Sequence, residues 1–190
     1  METERALTPQ ESMEVIIKAI SRTKDDIRSN GFYFLLWGWL IALASFAFFG
    51  LMVFGGTRLH FLPFPLLAAA GFITTIVHYS KRTAVATESY LTFFLGRMWA
   101  VLGLCFLIVV FINVTSGLMP FTYTLLLAGI GTLVSGWTMK FKPLIVGGFV
   151  FLVSCIASVY VPVEYKALLH GVAIVIGYLV PGYLLKNARG

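Results

Sequence analysis

Acidic side chains are scarce in this chain: eight Asp and Glu among 190 residues, none of them inside the long apolar stretches. A charge at bilayer depth is costly and usually functional, so an ion-coupled pump is expected to carry an intramembrane Asp or Glu, and this chain carries none. There are two cysteines, Cys105 and Cys155, each inside an apolar run, which suits packing better than disulfide or zinc chemistry. No metal-ligand spacing occurs, and neither a phosphate-binding glycine loop with Lys, nor H-E-x-x-H, nor a Gly-x-Ser-x-Gly turn is present. Ser135 and Ser154 have no base in reach by spacing. An enzyme, a metal and a cofactor are therefore not expected. Nor is nucleic acid, because the basic residues are dispersed rather than gathered into one patch.

What the chain has in abundance is apolar length. It is 59% hydrophobic with a mean hydropathy of +0.91, and only 12% of it is charged, against roughly 25% in soluble domains. About 20 apolar residues are needed to cross roughly 30 Å of hydrocarbon at about 1.5 Å per residue. Six such runs fall near 32–54, 61–79, 89–112, 118–139, 144–160 and 167–185. The expected fold is all-α: a cytoplasmic amphipathic helical segment over 1–30 and a polytopic bundle of six transmembrane helices over 31–190. The charged start and late first apolar run do not read as a cleaved signal, so the first span is expected to stay in the mature protein.

Lys and Arg placement orients the bundle, since flanks rich in them stay cytoplasmic. With the N-terminus inside, Arg5, Lys18, Arg22, Lys24, Arg28, Lys81, Arg82, Lys140, Lys142, Lys186 and Arg189 lie on the inner side, and only Arg58 and Lys166 outside. Both termini are then cytoplasmic. The net charge of +6 needs no acidic substrate, because this bias itself anchors loops to anionic membrane lipid.

Thr8-Pro9-Gln10-Glu11 resembles a capping box with Pro9 at the first helical position. Met13, Ile16, Ile17, Ile20 and Ile27 then recur at helical spacing, and the helix is expected to end near Asn30-Gly31. Between Glu11 and Arg28 the four acids cancel the four bases, unlike a helix built for anionic membrane surfaces. The apolar stripe therefore has three readings: a cover for the cytoplasmic face of the bundle, a surface for a cytoplasmic protein partner, or a homo-oligomer contact.

Within the spans, Phe32, Tyr33, Phe34, Trp37 and Trp39 read as an interfacial aromatic belt. Small residues four apart signal close packing: Gly38 with Ala42, Gly71 with Thr75, Gly96 with Ala100, Gly131 with Ser135, Ser154 with Ser158, and Ala173 with Gly177. Pro181-Gly182 is expected to kink or loosen the last helix. Arg97, about two turns into the third span, either snorkels to the inner interface or forms an anion or lipid-headgroup site. With Glu88, His78, Thr74 and Thr75 it makes the candidate polar site, if the second and third spans pack tightly. His170 lies near the outer end and His60 in an outer loop. Two inverted three-helix halves find no internal match beyond Leu95-Gly96 against His170-Gly171.

Leu7-Thr8-Pro9-Gln10-Glu11-Ser12, Asn30-Gly31-Phe32 with Leu35-Leu36-Trp37-Gly38-Trp39, and the stretch Tyr178 to Lys186 together resemble a group of uncharacterised small bacterial membrane proteins, mainly of the Bacteroidetes type. The resemblance implies a helical fold in a bacterial inner membrane, and it brings no catalytic residue. The functional expectation is a regulatory or assembly protein acting through its cytoplasmic N-terminal helix. The alternative is an oligomeric small-solute or anion transporter or channel.

Overall fold

The computed structural model describes residues 9–55, 59–83 and 90–187, with side chains described at Met13 and, within these ranges, from Gly31 onward except at 82 and 83. Every regular element among the described residues is helical: α1 (Pro9–Val53), α2 (Pro63–Thr83), α3 (Tyr90–Thr115), α4 (Phe121–Thr138), α5 (Lys142–Tyr160), α6 (Val163–Ile174), a π-helical turn (Val175–Leu179) and α7 (Val180–Asn187). Proline punctuates the starts. Pro63 opens α2, Pro143 lies in the first turn of α5, and Pro120 and Pro162 precede α4 and α6, positions where the missing N–H costs nothing.

Two of the turns are Schellman caps. After α3, Leu118 N–H donates to the Asn113 carbonyl (2.8 Å) and Gly117 N–H to that of Val114 (3.1 Å), with Gly117 at φ 70°. After α4, Phe141 N–H donates to Gly136 (2.9 Å) and Lys140 N–H to Trp137 (3.1 Å), with Lys140 itself at φ 52°. The second cap puts a side chain where glycine is usual.

One boundary differs from the sequence expectation. α1 does not end at Asn30-Gly31 but runs unbroken for 45 residues, so the N-terminal segment and the first apolar run form one rod. Gly31 stays helical: its φ is not left-handed, and a Cβ there would sit at ordinary packing distance, 3.5 Å from the Lys186 backbone N and 3.6 Å from Leu185. The expected cap at Thr8 lies outside the described residues.

All six apolar runs are helices, and four are long and apolar enough to cross a membrane: Gly31–Val53, Tyr90–Thr115, Lys142–Tyr160 and Val163–Asn187. α2 and α4 fall outside that set. Prolines, Thr74, Thr75, His78 and Ser80 dilute α2, and four threonines, Ser135 and three glycines dilute α4.

α1 is the axis of the bundle, packed on α2 and along α6, the π turn and α7, while α4 and α5 form the closest hairpin and α3 lies against α4. Phe34, Ala42, Leu125, Leu144, Phe151, Ile174, Tyr178 and Leu185 make the central core. Glycine sets the spacing. A Cβ on Gly147 would meet the Gly177 carbonyl oxygen at 2.5 Å, and one on Gly38 would meet Leu179 at 2.7 Å and Tyr178 at 3.1 Å. The π turn ends at Leu179, two residues before Pro181. The wider turn accommodates a residue that has no N–H and whose ring crowds the preceding turn, so the expected loosening takes this form. Phe34 departs from the belt reading: it is buried, with its ring 5.7 Å from that of Tyr178 and 6.0 Å from that of Trp99.

Candidate functional site

The polar groups of α4 join it to its neighbours. Thr122 and Ser158 of α5 place their hydroxyls 2.8 Å apart, and since Ser158 also lies 2.7 Å from the Cys155 carbonyl, its single proton serves that carbonyl while Thr122 donates to it. Thr132 meets the hydroxyl of Tyr178 in the π turn. Ser135 accepts the Trp99 indole N–H from α3 at 3.1 Å. Thr124 reaches His170 Nε2 at 3.2 Å. Ser135 is thus paired with Trp99 of α3, and His170 with Thr124 of α4.

His170 is buried on α6, 4% exposed. Its Nδ1 lies 2.9 Å from the hydroxyl of Ser45 on α1, so one imidazole links α1, α4 and α6. The rings of Phe121 and Phe64 flank it at 5.3 and 6.4 Å, and Phe48 closes the cluster against both phenylalanines. Ser45 also lies 2.7 Å from the Ile41 carbonyl and Thr124 2.9 Å from that of Phe121. A neutral imidazole has one N–H, so it donates to one hydroxyl while the other turns its proton from its own carbonyl to the bare ring nitrogen. Two proton arrangements thus satisfy the same heavy-atom geometry.

A serine at hydrogen-bond distance from an imidazole is also the arrangement of a nucleophile and its base. Here Ser45 is fully buried and the ring is walled by phenylalanine, leaving no approach for a substrate. The geometry fits a polar clamp between helices better than catalysis.

The polar group expected around Arg97 is dispersed. His78 and Thr75 turn to α1: His78 Nδ1 lies 3.1 Å from the Tyr33 hydroxyl with its ring stacked on Phe32 at 4.1 Å, and Thr75 accepts the Trp37 indole N–H at 3.2 Å. Thr74 is exposed and donates to the Ala70 carbonyl. Arg97 is exposed on α3, its guanidinium 5.2 Å from the ring of Phe93 one turn back on the same helix. Glu88 lies outside the described residues. The condition for the site was direct packing of α2 on α3, whereas α2 packs on α1 and α3 on α4. Of the N-terminal stripe, Met13 is exposed, and the side chains of Ile16, Ile17, Ile20 and Ile27 lie outside the described set. Among the described residues no three His, Cys, Asp or Glu side chains gather as metal ligands would.

No protein family, no curated protein and no solved structure matches the chain. The class is therefore defined by the fold alone: a protein all-helical among the described residues, four of whose helices there are long and apolar enough to cross a membrane.

Proposed function

We propose that the chain is a six-span bacterial inner-membrane protein with both termini cytoplasmic, serving regulation or assembly through the N-terminal part of α1. The observation that carries this reading is the unbroken α1. Its first half extends about 30 Å ahead of Gly31 at about 1.5 Å per residue. Its second half is the bundle axis, where Gly38 meets the π turn and Ser45 meets His170. A partner seated on the Met13–Ile27 stripe would grip the same rigid helix that organises the core, so rotation or displacement imposed there reaches those contacts directly.

The six-span arrangement is supported by where the polar groups of α2 and α4 go. Thr75, His78, Thr122, Thr124, Thr132 and Ser135 all meet side chains of neighbouring helices, so these six of the residues that lower the hydropathy are satisfied by the bundle, while the exposed Thr74 and Thr138 bond carbonyls of their own helices.

The test is photo-cross-linking from Met13 in the full chain in native lipid, with and without Ile16→Asp plus Ile20→Asp. Cross-links to a second protein, or to a second copy of the chain, that vanish in the double variant while its thermal stability is kept support the reading. If Met13 captures nothing in either form, the interaction role fails, and the transporter reading is taken up through the effect of Arg97→Ala on flux.

A further inference from the structure

We propose that the outer end of the α3–α4 hairpin is a lipid-headgroup site that selects headgroups carrying an N–H or O–H donor. A recess of about 260 Å³ lies there, lined by Val109, Ile112, Asn113, Ser116, Leu118 and Tyr123. The Schellman cap builds it, because Gly117 at φ 70° folds Leu118 back over the last turn of α3. Asn113 is 6% exposed, and its amide nitrogen donates to the Val109 carbonyl at 2.8 Å. That bond fixes the amide orientation, since a flip would set two oxygens against each other. Oδ1 is left as a buried acceptor with no partner among the described residues, and the hydroxyls of Ser116 and Tyr123, in the same lining, likewise have none. A buried acceptor without a donor is destabilising, and a ligand donor would relieve it.

The walls identify the ligand class. Val109, Ile112 and Leu118 are apolar, and no cationic side chain lines the recess to hold a phosphate. The volume suits an ethanolamine or glycerol group rather than a whole lipid, a water's share being about 30 Å³. Phe111, Ile112 and Val114 are exposed around it on the least buried of the candidate spans, a surface for acyl chains. A lipid lying along α3 would place its headgroup donor on Asn113 Oδ1 and leave its phosphate at the rim. Placement in the outer leaflet rests on the six-span arrangement; the preference for a donor does not.

The full chain in detergent is given dioleoyl phosphatidylethanolamine, phosphatidylglycerol or phosphatidylcholine, and lipid retention is read by native mass spectrometry and thermal shift. The amine and glycerol lipids are expected to be held about ten-fold more tightly by the native chain than by Asn113→Leu, the scale of one hydrogen bond to a buried acceptor, with no such difference for phosphatidylcholine, whose quaternary ammonium has no N–H. Should Asn113→Leu fail to fold, Ser116→Ala with Tyr123→Phe keeps Asn113 and is expected to weaken the same two lipids by a smaller factor. Equal retention by the native chain and whichever variant folds, or phosphatidylcholine held as well as phosphatidylethanolamine, overturns the proposal. So does equal stabilisation by free ethanolamine or glycerol, which would make the ligand a soluble molecule.

Discussion

Gly147→Ala tests the packing of the bundle most directly, because the atom it would strike cannot move aside. The added Cβ would lie 2.5 Å from the Gly177 carbonyl oxygen and 3.2 Å from the Cα and carbonyl carbon of the same residue, all backbone. Ordinary contact begins nearly an ångström farther out, so α5 and the π turn must separate by about that distance, and dispersion contacts along the seam, including Phe151 against Tyr178 at 4.8 Å, weaken together. Overpacking of this kind costs about 1–3 kcal/mol, and the backbone identity of the neighbour places it toward the upper end. Gly177→Ala strikes the Phe151 ring, a side chain rather than backbone, so its cost should be smaller. Gly96→Ala on the exposed face of α3 meets nothing within 4 Å and should stabilise by about 0.5–1 kcal/mol, the gain of alanine over glycine inside a helix. Graded SDS unfolding in micelles, followed by tryptophan fluorescence, gives the three values on one scale. If Gly147→Ala proves as stable as Gly96→Ala, the close approach of α5 to the π turn is wrong, and with it the account of how Pro181 is accommodated.

Other outcomes follow from the same geometry. Lys140 holds a left-handed conformation at φ 52°, so Lys140→Gly should stabilise by about 0.5–1 kcal/mol in the same assay, the relief of the Cβ clash less the extra entropy of glycine. A double-mutant cycle between Trp99→Phe and Ser135→Ala should return a coupling of about 0.6 kcal/mol, typical of hydrogen bonds between membrane helices; zero coupling would refute the indole-to-hydroxyl bond. Ser45→Ala and Thr124→Val each leave one His170 nitrogen without its hydroxyl and should each cost about 1 kcal/mol, whereas Thr74→Val, on an exposed hydroxyl bonded to its own helix, should be close to neutral. For topology, a cysteine at Ser116 should react with an impermeant maleimide from outside in whole cells if α2 crosses the membrane, and only after lysis if α2 does not.

The helices themselves were legible because a span must be long and apolar: the second to fifth apolar runs each became one helix within a few residues of its expected ends, the sixth became α6, the π turn and α7, and the first became the second half of α1. Among the described residues four of these helices are apolar enough to cross, and α2 and α4 are the two in which polar residues do structural work. The break at Asn30-Gly31 was misread for a local reason: Asn and Gly signal a helix end only if a left-handed residue follows, and Gly31 keeps a helical φ inside the unbroken α1. The polar contacts were beyond the sequence because they are tertiary. His170 and Ser45 stand 125 positions apart, and nothing local marks either as the other's partner. Arg97 drew attention as the one charge in a run, yet its neighbours depend on which helices adjoin, a fact that hydropathy does not contain.

One regularity in the structure was also present in the sequence and went unread. On α2, a Cβ at Gly71 would meet Leu40 Cδ1 at 2.9 Å and Trp37 Cη2 at 3.0 Å, and the Trp37 indole donates to Thr75, four residues on. On α4, a Cβ at Gly131 would meet Leu102 Cδ1 and Trp99 Cη2, both at 2.7 Å, and the Trp99 indole donates to Ser135, again four residues on. The same device, Trp-x-x-Leu on one helix against Gly-x-x-x-Thr or Ser on the next, closes both hairpins. The third hairpin keeps the aromatic-on-glycine contact, Phe151 against Gly177, but four residues beyond Gly177 stands Pro181 in place of a hydroxyl. The device thus recurs with a two-helix period, which an alignment of inverted three-helix halves does not register. In the six-span arrangement an odd-numbered repeat must invert to keep the chain crossing, whereas a hairpin returns to its starting side and repeats without inversion. The small-residue pairs Gly71 with Thr75 and Gly131 with Ser135 are then two halves of one motif, and the tryptophan that completes each lies on the preceding helix, beyond the reach of any within-helix pattern.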